Sequence, residues 1–189
     1  LQSKLESSEP SSGVLWLSCA AEQFVRTSLL PFRQLLRAGL SPFDVDHGEQ
    51  ALDSVAAVDA WVDTLLARLA SHHDTTLHAQ LTVSKPLLST LLDQRPARAD
   101  LESAVPAAQL PALIHAATTL LCAQSLCGPV VLVIDNVCWL DADSRTLLQT
   151  LAREATNRAM AIIVSSHEGD DALAALALAP EVPSHSLRL

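Results

Sequence analysis

Val130-Val131-Leu132-Val133-Ile134 is an unbroken apolar run, mostly β-branched, that ends at Asp135 and Asn136. Branching at Cβ stiffens χ1 and suits a pleated backbone, so the run predicts a strand. The absence of polar alternation predicts one buried on both faces of a parallel sheet. Gly128-Pro129 sets its start. After it, Val137-Cys138-Trp139-Leu140 reads as a turn, and Asp141 as the cap of a helix to about Asn157. An acid at the carboxyl end of such a strand lies where open α/β sheets bind ligands.

The same patterning divides the rest of the chain. Leu1 to Glu6 reads as the tail of a helix, ended by a Ser/Pro/Gly turn through Gly13, and Val14 to Ala20 as a short buried strand. Ser28 is placed to cap a helix to about Leu40, with Pro31 in its first turn and Gly39 and Ser41-Pro42 as stops. Leu52, Val55, Val58, Val62, Leu65 and Leu69 recur at three- and four-residue steps, predicting an amphipathic helix over Glu49 to Ala70. His72-His73-Asp74 reads as a solvated loop, because adjacent histidines point apart and lack a metal-binding helix spacing. A short helix over Pro86 to Leu92 and a charged connector over Gln94 to Ala104 follow. Pro106 to Leu126 is a long helix with Leu110, Leu113, Ile114, Ala117, Leu120 and Leu121 on one face. Met160 to Ser165 is a further strand, Asp170 to Leu178 an Ala-rich helix, and His185 to Leu189 a final strand. Strands separated by helices predict an α/β fold, a parallel sheet with flanking helices, with a long helical insertion at about 41–128.

Composition removes several classes of function. Hydrophobic residues make up 49% and charged residues 17%, which is a globular balance. The net charge of -9, with no basic stripe, argues against direct nucleic-acid contact. Cys19, Cys122, Cys127 and Cys138 are irregularly spaced in apolar settings and read as buried free thiols rather than a bridge or zinc site. No signal peptide is evident and no apolar run reaches the length of a membrane span, so the expected setting is cytoplasmic, without a membrane partner. A start at Leu1 rather than Met suggests a piece of a longer protein.

Val130 to Asp143 resembles the Walker B region of AAA+/STAND regulatory ATPases, where a hydrophobic strand runs into Asp-Asp-x-His-Trp-x-Asp. Asp135 matches the first acid, Trp139 the tryptophan and Asp141 the last aspartate; Asn136 replaces the second acid and Cys138 the histidine. Leu29 to Leu36 resembles the family's Pro-Phe helix start after its second strand, and Ala161 to Glu168 its sensor strand. Such modules occur in large LuxR/MalT-type transcriptional regulators and beside class III nucleotide cyclase domains. The resemblance implies a partial P-loop NTPase core, with attached signalling or output domains as partners. It implies ATP and Mg²⁺ as cofactors of the intact protein, with Asp135 as the Mg²⁺ ligand and Ser165 and Ser166 near the γ-phosphate.

Two features depart from that family. A P-loop needs Gly, four residues, then Gly-Lys-Ser/Thr, to supply phosphate-binding N–H groups and a lysine. Lys4 precedes Leu5, Lys85 precedes Pro86, and none of the five glycines fits, so residues 1–189 alone are expected to bind no cofactor. Asn136 stands where an acid would polarise the attacking water, and an amide cannot take that proton. Glu168, in place of arginine, would repel phosphates. The expected function is an ATP-binding regulatory module with slow or absent hydrolysis. The rival is a noncatalytic interaction scaffold of the same fold. A Rossmann-like enzyme ranks third, since its glycine fingerprint is missing.

Overall fold

The computed structural model describes residues 13–24, 27–40, 54–93, 108–166, 176 and 178–186. The expected helix over Leu1 to Glu6, the connector over Gln94 to Ala104, nearly all of the helix over Asp170 to Leu178, and Glu168 lie outside them.

Three strands, β1 (Leu15–Ala20), β2 (Val130–Asp135) and β3 (Met160–Val164), form one parallel sheet in the order β1-β2-β3. The register pairs Leu17 with Leu132 and Leu132 with Ile162, so β2 is central. Four helices lie between β1 and β2: α1 (Leu30–Leu40), α2 (Ser54–His72), α3 (Thr75–Asp93) and α4 (Leu110–Cys127). A fifth, α5 (Ala142–Ala155), joins β2 to β3. His185 and Ser186 are not in a strand.

Helices α1, α4 and α5 pack on β1, β2 and β3, and both α1 and α4 touch α5. They therefore share one face of the sheet. Leu17, Val130, Leu132 and Ile134 point into that layer and are buried. The alternate residues do not follow: Trp16 is 55% exposed and Ile163 is 49% exposed. The expectation of a strand buried on both faces is thus corrected for the described residues, because two successive crossovers in the same direction place their helices on the same side. Pleat parity puts Ala20, Asp135 and Ser165 in line with the open face.

The helical layer also departs from expectation in two places. Helix α3 is a continuous 19-residue helix through Pro86, not a short one starting there. A proline in a helix interior costs roughly 3 kcal/mol; burial of Leu77, Leu81, Leu88, Leu91 and Leu92 against α2 and α4 outweighs it. Its start is fixed by Asp74, whose Oδ1 accepts from Leu77 N at 2.9 Å. Helix α1 ends at Leu40 as expected, with Gly39 in its last turn; a Cβ there would lie 2.9 Å from the Trp61 ring and 3.1 Å from Leu17, so it also permits close packing. Trp61 is fully buried, and its indole donates to Gln124 Oε1 at 3.3 Å. Lys85 ties α3 to α2 through Asp63 at 2.8 Å and Asp59 at 3.4 Å. Finally, α4 is long and apolar enough, by length and composition, to cross a membrane, which corrects the expectation of no such run. It packs against β2, α2, α3 and α5, and 56% of it is buried in the fold, as a core helix is.

Candidate functional site

β2 ends at Asp135, and the chain must then turn sharply. Asn136 supplies the turn with a left-handed backbone (φ 56°, ψ 47°), which asparagine adopts more readily than most residues. A single 3-10 turn, Val137–Trp139, follows, held by Arg145 Nη2 donating to Cys138 O at 3.0 Å. Asp141 then caps α5. The strand ends are laced together by backbone bonds: Ala21 N to Asp135 O at 2.9 Å, Ser165 N to Ile134 O at 3.0 Å, and Val137 N to Ser165 O at 2.9 Å.

This lacing brings Asp135, Asn136 and Ser165 together. Asp135 Oδ1 accepts from Asn136 N at 3.0 Å and from the Ser165 hydroxyl. Asn136 N also lies 3.4 Å from Ser165 Oγ. Asn136 Oδ1 and Ser166 Oγ are buried and have no hydrogen-bond partner. Buried polar atoms without partners carry a desolvation cost, and functional sites are where such atoms are found.

The other two matched residues do a different job. Asp141 Oδ1 accepts from Asp143 N at 3.1 Å and Ser144 N at 2.9 Å, and Oδ2 from Ser144 Oγ at 2.5 Å. Oδ1 also lies 3.4 Å from Leu29 N, just before α1. The expected capping role of Ser28 is corrected: its hydroxyl is buried without a partner, and the carboxylate of Asp141 reaches the helix entry instead. Leu29 is fully buried at φ 57°, a strained backbone for leucine. Trp139 lines a small cleft with Pro31, Glu22 and Asp141 between the ends of β1 and β2. Ser144, 0% exposed, was missed in the sequence because nothing in its spacing distinguishes it from an ordinary helix serine.

Arg33, also on α1, is 4% exposed, and neither its Nε nor its Nη2 has a partner. Burial, then repulsion by Arg37, lowers its pKa, while Asp141 opposes the shift. Cys19 and Cys122 are free thiols, pushed up by burial to about 12 and about 11.

The oxygen donors at the strand ends suit Mg²⁺, which keeps several waters and takes one or two carboxylates together with substrate phosphates. Among the described residues no group of three or more His, Cys, Asp or Glu side chains could hold a metal, so a cation here would rest on Asp135, Ser165 and water. The phosphate side does not fit this stretch of chain: no residue of the sequence makes a P-loop.

A family profile described as AAA ATPase domain matches residues 2–164. No curated protein and no solved structure matches the chain.

Proposed function

The chain belongs to the AAA ATPase domain family, and we propose that it is part of an ATP-binding regulatory module within a larger signalling or transcription-regulatory protein of the cytoplasm. The observation that carries this reading is Asp135 at the carboxyl end of the central strand, with a serine hydroxyl from just past the neighbouring strand on its carboxylate. In that role Asp135 would hold Mg²⁺, Ser165 would orient the Asp135 carboxylate through its hydroxyl, and the unpartnered hydroxyl of Ser166 would be free to donate to a phosphate. Bound Mg²⁺ neutralises charge on the phosphates. Asn136, an amide on a left-handed turn, takes no proton from water, so nucleotide occupancy rather than rapid turnover is the signal passed to attached domains.

The test is steady-state phosphate release by the intact protein with Asn136→Asp. General-base catalysis is typically worth about 10²- to 10⁴-fold, so restoring the acid raises turnover well above the parent. No rise in a protein that still binds ATP removes the water-activating role from this position. A noncatalytic scaffold is the second reading, favoured by the missing phosphate cradle; it requires that the intact protein bind no nucleotide at all.

A further inference from the structure

Arg33 is a charge that α1 buries without a counter-charge in contact. It is 4% exposed, and among the described residues neither Nε nor Nη2 has a hydrogen-bond partner or an ion pair. These two nitrogens share one edge of the planar guanidinium and point their N–H bonds the same way. That edge matches two oxygens of a carboxylate or phosphate group. The neighbouring groups do not satisfy it. Asp141 attracts Arg33, but its oxygens already take the amides of Asp143 and Ser144 and the Ser144 hydroxyl. Arg37, one turn along α1, repels Arg33 and donates from its own Nε to Leu92 O at 3.1 Å. Two guanidiniums against one carboxylate leave one positive charge to be balanced. Helical side chains lean toward the amino end, which carries the Arg33 guanidinium over the entry to α1. Ser28 Oγ, at the same entry, is another buried atom without a partner.

We propose that Arg33 is an anion-binding residue, whose Nε and Nη2 take two oxygens of one oxyanion, a carboxylate or a phosphate, at the entry to α1. The small cleft lined by Leu30, Pro31, Gln34 and Asp141 opens to solvent on the same turn of the helix. None of the strand-end residues Asp135, Asn136, Ser165 and Ser166 takes part, so the site stands apart from the nucleotide reading. A bound oxyanion stabilises the fold because it supplies a counter-charge to a guanidinium that is costly to bury alone.

Thermal unfolding of the full chain at constant ionic strength tests this, with sodium phosphate, acetate or chloride added. At ten times its Kd, a bound oxyanion raises the midpoint by about 3–6 °C. Chloride, a single sphere that cannot supply two oxygens, gives no such rise. A rise with phosphate but not acetate assigns a phosphate-bearing ligand, and the reverse a carboxylate-bearing one. Arg33→Met abolishes the rise. Arg33→Lys keeps the charge without the paired edge and weakens binding by about tenfold or more. Ser166→Ala leaves the rise unchanged. No rise with either oxyanion overturns the proposal, as does an equal rise with chloride. A rise that persists in Arg33→Met overturns it too, because exclusion of salt from the protein surface would then be its cause. So does a rise lost in Ser166→Ala, which would put the anion at the strand ends.

Discussion

Asp141 is the residue on which two helix starts converge. Its carboxylate caps α5, takes the hydroxyl of fully buried Ser144, and reaches the amide that leads into α1. A lost N-cap costs about 1 kcal/mol, and a buried donor left unmade costs about 1–3 kcal/mol more. Asp141→Ala is therefore expected to lower stability by roughly 2–4 kcal/mol in urea denaturation, more than a surface cap alone. Arg33 presents the opposite case, a buried guanidinium with two unpartnered nitrogens. Replacing such a charge with an apolar chain of similar length is often neutral or stabilising. Arg33→Met is predicted to unfold at the same urea concentration or a higher one. A large loss would show that the guanidinium carries a compensating contact in the folded state. Asp141 was legible as a cap in the sequence. Its second contact, 112 residues away, was not, because no local spacing encodes where α1 will enter.

At the scale of elements, α3 shows packing overriding local propensity. Pro86 is exposed while Leu88, Leu91 and Leu92 of the same helix are buried. Pro86→Ala restores a backbone donor without opening a cavity, and is predicted to raise stability by about 1–3 kcal/mol, read as a higher thermal midpoint. No change would mean that the neighbouring turns already absorb the missing bond. The three strands, α1, α4 and α5 were readable because their apolar periods are long and their punctuation is strong. At α3 the local pattern misleads, because a proline marks a helix start as readily as it interrupts one. The end of α1 at Leu40 matches the reading, and Gly39 in its last turn also permits the close approach of Trp61. The apolar run of β2 was over-read as burial on both faces: hydrophobicity tells what a face prefers, not what chain is present to cover it.

At the scale of the whole molecule, the parallel sheet gathers Asp135, Asn136 and Ser165 at its carboxyl end, and among the described residues the helical layer supplies no phosphate cradle. The sequence carried the first of these through a single strand end and the second through its glycines and two lysines. The proposed role of Asp135 is to place Mg²⁺ for a nucleotide bound by the intact protein. Calorimetric titration of Mg·ATP into the intact protein, with and without Asp135→Asn, tests it most directly. The account predicts binding that depends on Mg²⁺ in the parent and weakens by about 10- to 100-fold in the variant, the range expected when a water-mediated metal contact is lost. It also predicts no tight binding to residues 1–189 alone and an unchanged thermal melt for Asp135→Asn. Equal Mg·ATP affinity in parent and variant would contradict it.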